Sequence, residues 1–99
     1  MESFRELIQS DKPVLVDFYA DWCGPCKIMH PIIQDVAKSV AGNARVVKIN
    51  IDKNAPTAQA YKIMSVPTFI IFKNGNIIWR HSGTIDKSSL LQVLNKNLS

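Results

Sequence analysis

Cysteine and histidine are scarce in this chain of 99 residues, with two of each, and the scarcity narrows the chemistry. A small scaffold stapled by several disulfides would need more cysteine. A four-ligand structural zinc site would have to recruit His81, far along the chain, to join Cys23, Cys26 and His30, so no metal site is expected. No apolar run approaches the roughly eighteen residues of a membrane span, and the start MESFRELIQS is amphipathic rather than basic and then apolar, so neither a span nor a signal peptide is read. Twelve Lys and Arg against eight Asp and Glu give a net charge of +4, but these residues are scattered from Arg5 to Lys96 without a cluster. That excludes a nucleic-acid footprint and leaves only a weak leaning toward acidic partners. Repeats, linkers and low-complexity segments are absent too. With 46% apolar and 20% charged residues, the expectation is one soluble domain over residues 1–99, monomeric and cytoplasmic.

What is present is a clear alternation of periodicities. Ser3 to Ser10 spaces Phe4, Leu7 and Ile8 at helical intervals before the Asp11-Lys12-Pro13 turn. Val14 to Tyr19 is an apolar run broken only by Asp17, as suits a strand buried on both faces. Ile28, Ile32, Val36 and Val40 form a helical stripe ending at Gly42-Asn43, with Pro31 inside it as an expected kink. Arg45 to Ile51 reads as a strand, and Asn54 to Ile63 as a short helix that tolerates Pro56 in its first turn. Two β-rich runs, Thr68 to Lys73 and Asn76 to His81, flank Asn74-Gly75, a strong hairpin signal. Asp86 caps a last helix carrying Leu90, Leu91, Leu94 and Leu98. The order α, β, α, β, α, β, β, α predicts an α/β fold: a mixed four-stranded sheet with a parallel crossover in front, an antiparallel hairpin behind, and helices on both faces.

Both cysteines lie in DWCGPCK, residues 21 to 27, where the first strand hands over to a helix. A helix N-terminus offers unpaired N–H groups and the positive end of a dipole, both of which favour a thiolate. A structural clip between residues so close would remove little chain entropy, and half a zinc site lacks its other ligands. Two inert thiols remain a further reading. Cys-x-x-Cys at a strand-to-helix junction of a crossover unit favours a redox dithiol over all three.

VDFYADWCGPCK, KINIDKN and VPTFIIFKNG, in this order and spacing, resemble the thioredoxin family over nearly the whole chain. The resemblance implies the three-layer thioredoxin-like fold and the activity of a protein-disulfide reductase, with no bound cofactor beyond a Cys23–Cys26 disulfide. It also implies two kinds of partner, disulfide-containing substrate proteins and an NADPH-linked flavoprotein thioredoxin reductase. A disulfide oxidant or isomerase, and a redox-poised binding subunit of a larger complex, are the alternatives. Many family members carry a short strand ahead of the first helix; this chain starts too late for it, so Arg45 to Ile51 is expected to be an exposed sheet edge.

Carried over residue by residue, the resemblance makes Cys23 the solvent-reachable nucleophile and Cys26 the shielded resolving thiol, with Gly24 and Pro25 tuning the turn between them. Asp17, whose carboxyl burial should hold protonated to higher pH, would lie beneath Cys26 as proton acceptor or relay; its plainer role is structural. Lys48 takes the position of that acid's partner, or is a solvated strand lysine. Trp22 and Tyr19 match aromatics that flank the site, with core packing as the alternative. Val66 and Pro67 match a loop facing the cysteines, in which the bond before proline is cis and the Val66 backbone pairs with an extended substrate. Gly83 matches a glycine beside that groove, or simply ends a strand. His30, Trp79 and His81 match no functional position and are read as surface or packing residues.

Overall fold

In a computed structural model that describes residues 2–98, the elements follow the order α1 (Phe4–Leu7), β1 (Val14–Tyr19), α2 (Gly24–Ser39), β2 (Arg45–Asn50), α3 (Ala55–Ala60), β3 (Thr68–Lys73), β4 (Asn76–Ser82) and α4 (Lys87–Lys96). The sheet order is β2-β1-β3-β4. β1 runs parallel to β2 and antiparallel to β3, and β3 pairs antiparallel with β4 through a register shift at Ile71/Phe72. The mixed four-stranded sheet is the expected one, with β2 at an edge.

The period-two alternation of β1 and β3 divides the core between two faces. Leu15, Phe69 and Ile71 meet Met29, Ile33 and Val36 of α2 and Leu90 and Leu94 of α4. Val14, Val16, Phe18, Ile70 and Phe72 point the other way, onto Phe4, Leu7 and Ile8 and onto Tyr61 at the end of α3. Helices therefore cover both faces of the sheet. β1 and β3 are buried throughout except at their last residues, which is why they read as near-continuous apolar runs.

Three helices are shorter than their periodicity suggested. α1 starts with a capping box between Ser3 and Glu6 but ends at Leu7. Beyond it the chain is claimed by the hairpin turn: Gly75 N–H donates to the Ile8 carbonyl at 2.9 Å, and Asn74 N–H to Ser10 at 2.8 Å. α3 ends at Ala60 because Lys62 takes a left-handed φ of 55°, and Arg80 of β4 binds the Tyr61 and Lys62 carbonyls at 2.6 and 2.8 Å. α4 is capped by Asp86, as expected, but stops at Lys96, so Leu98 lies beyond it. α2 continues past Pro31 to Ser39. At the hairpin, Asn74 and Gly75 take φ of 53° and 82°; a Cβ on Gly75 would come within 2.6 Å of the Gln9 side chain.

Candidate active site

β1 ends at Tyr19, and the chain turns through Ala20, Asp21 and Trp22 before entering α2 at Cys23, its N-cap. The Cys23 backbone is extended, and its sulfur accepts the Cys26 N–H at 3.1 Å, the role a serine or aspartate oxygen plays at other helix starts. Pro25 fits the first turn because no intrahelical donor is needed there. The two cysteines are joined in a disulfide, with Cα atoms 5.3 Å apart. Cys23 is 4% exposed and Cys26 1%. Both are buried, so Cys23 is not the open thiol that the resemblance implies: in the disulfide it packs with Ala20, Cys26 and the flanking Tyr19, Ile51 and Val66.

The facing loop is held firmly. The Val66–Pro67 bond is cis, and the Val66 carbonyl oxygen lies 3.6 Å from Cys23 Sγ. The Thr68 hydroxyl donates to the Ser65 carbonyl at 2.7 Å, and Gly83 N–H donates to the Pro67 carbonyl at 2.8 Å. Gly83 has φ of +96°, which favours glycine, and a Cβ there would meet nothing within 4 Å. Space beside the loop is thus left open.

Trp22 does not pack in the core. Its side chain is 69% exposed, and its indole N–H donates to Asp52 Oδ2 at 3.0 Å. Asn50, at the end of β2, accepts from the Asp52 N–H at 2.9 Å and donates to Asp21 at 3.3 Å, which ties the tryptophan turn to the neighbouring strand. Asn50 and Asp52 both lie within KINIDKN but carry no local motif of their own; the signal in the sequence is a single Asn closing an otherwise apolar strand end, and it is buried. Ile28 of α2 and Met64, ahead of the cis-proline loop, are also exposed apolar side chains, at 63% and 90%.

Asp17 is buried in β1, and its Oδ1 has no hydrogen-bond partner. Burial pushes the carboxyl from 3.8 up to about 6, opposed by the charge of Lys48. Lys48 sits beside Asp17 in the β1/β2 register, yet among the described residues no ion pair joins them. The ammonium instead lies 4.8 Å from the centre of the Tyr19 ring and contacts His30 Nδ1. Tyr19 is half-buried and meets His30 edge-on at 5.6 Å. His30, read as a bystander, therefore belongs to the surroundings of the acid's neighbour. Trp79 packs against the α2/α4 core and stacks on His81, consistent with packing roles.

A disulfide spanning the first turn of a helix, capped by a backbone N–H and faced by a cis-proline loop, defines a dithiol–disulfide redox centre. The chain belongs to the thioredoxin family, whose model matches residues 1–96. It is 47% identical over 94 residues to a thioredoxin of Rickettsia conorii, covering 95% of this chain and 90% of the relative. A thioredoxin 1 of Nostoc sp. is 44% identical over 94 residues, covering 95% and 88%. A thioredoxin of Pseudomonas aeruginosa is 39% identical, covering 95% and 87%. The protein is a thiol–disulfide oxidoreductase, and its family interacts with disulfide substrates and thioredoxin reductase.

Proposed function

We propose that this oxidoreductase runs as a reductant of protein disulfides, with Cys23 attacking, Cys26 resolving and Asp17 taking the proton. The Cys23 thiolate attacks one sulfur of a substrate disulfide; a Cys23–substrate disulfide forms, and the other substrate sulfur leaves as a thiolate. Asp17 accepts the Cys26 proton, and the resulting thiolate attacks Cys23 Sγ, closing the Cys23–Cys26 bond and releasing the second substrate thiol. Two electrons pass to the substrate, and an NADPH-linked flavoprotein reductase restores the dithiol. The single observation that carries this order is the Cys26 N–H on Cys23 Sγ at the helix N-terminus, because it stabilises negative charge on Cys23 and not on Cys26.

Val66 and Gly83 flank the approach of an extended substrate, with Pro67, Gly24, Pro25 and the exposed Trp22 lining it. The reading also makes the protein cytoplasmic, in line with its bacterial relatives, and monomeric. Reduction of insulin disulfides with dithiothreitol as electron source tests the activity. Cys26→Ser should accumulate mixed disulfides with lysate proteins while Cys23→Ser forms almost none; equal trapping by the two variants would falsify the assignment.

A further inference from the structure

The orphaned oxygen of Asp17 poses a problem. Lys48 leaves the same face of the sheet from the adjacent register position, and its flexible four-carbon stem suits an ion pair with a neighbouring carboxylate. The ammonium has gone elsewhere: to His30 Nδ1, above the Tyr19 ring. The imidazole is itself held in place, edge-on to Tyr19 and one helical turn beyond Cys26 on the same side of α2.

We propose that His30 is a positioning residue for the resolving step: by accepting the Lys48 ammonium on its ring nitrogen, it keeps that charge from pairing with Asp17 and so preserves the acid as a proton acceptor. Only a neutral imidazole can accept at Nδ1. The surroundings favour that form, since burial and then the Lys48 charge push His30 titration down, with Asp21 opposing. The groups around the ring are Lys48 from β2, Tyr19 from β1, Asp21 from the turn into α2, and Cys26 and Lys27 from the preceding turn of its own helix. On its other side Asp17 is paired with Phe69 of β3, which carries no charge. A direct Lys48–Asp17 pair would lower the carboxyl by about 1–3 pKa units and make it a weaker base.

This inference rests on the reading of Asp17 as proton acceptor, so the experiment carries two readouts. Carboxyl carbon NMR of the oxidised protein follows Asp17 titration, and stopped-flow release from a Cys23 mixed disulfide gives the pH profile of resolution. In His30→Ala the freed ammonium pairs with Asp17, and both midpoints fall by about one pH unit. His30→Gln, whose amide oxygen can accept from Lys48, keeps the wild-type midpoint. In a Lys48→Met background, His30→Ala moves nothing. An unchanged Asp17 midpoint in His30→Ala, an equal fall in the Lys48→Met background, or His30→Gln behaving like His30→Ala overturns the proposal. A fall in the Asp17 midpoint with no change in the release profile supports the positioning by His30 and instead removes Asp17 from the role of acceptor.

Discussion

Asp17 is the residue at which sequence, burial and chemistry meet. One carboxylate in an apolar strand is costly in its charged form, and desolvation brings it to about 6, close to a useful range for a base near neutral pH. Asp17→Asn should leave capture by Cys23 intact but slow release by about tenfold or more near pH 7. Stopped-flow measurement of the two steps separates them, and equal slowing of both would return Asp17 to a structural role. The cysteines and this acid were legible because each breaks a local pattern: two thiols at a helix start, one charge in a strand. The arrangement of His30, Lys48 and Tyr19 was not, because it depends on how α2 lies across β1 and β2. Nothing in the local sequence tells a lysine on an edge strand which neighbour its ammonium will meet.

Elements bring these residues together, and their ends are less legible than their interiors. β1, β3 and the start of α4 fall where periodicity and capping put them, because burial pattern and Asp86 act locally. α1 and α3 stop early because distant partners, the hairpin turn and Arg80, take the carbonyls just beyond them. The same long-range logic makes Gly83 informative. Gly83→Ala should cost about 1–2 kcal/mol from its left-handed backbone, read as a lower urea midpoint. It should also weaken reduction of protein disulfides more than of a small aromatic disulfide, since its Cβ projects into the open space beside Pro67. Parallel losses on both substrates would leave the glycine with a backbone role alone. In α4, Leu94 is fully buried in the core shared with α2, so Leu94→Ala should cost about 2–5 kcal/mol by denaturant titration.

For the molecule as a whole, the buried acid of β1 makes stability depend on pH in a direction opposite to that of a salt-bridged carboxylate. Asp17 titrates at about 6 in the folded chain against 3.8 in the unfolded one. Between these values the native state holds the proton that the unfolded state has released, so stability falls as pH rises through this window and then levels off. At about 1.4 kcal/mol per pKa unit the loss is of order 3 kcal/mol at pH 7. His30 and Asp86, both shifted down, act with the opposite sign: each contributes stability that disappears as pH falls. The absolute curve therefore mixes signs, and the diagnostic quantity is the difference between wild type and Asp17→Asn, in which the other groups cancel. The two oxidised proteins should unfold at nearly the same urea concentration at pH below about 4. At pH 7 the variant should be the more stable by order 2–3 kcal/mol. Urea titrations at both pH values decide it, and a difference that stays constant with pH would mean that Asp17 carries no raised proton affinity in the folded chain.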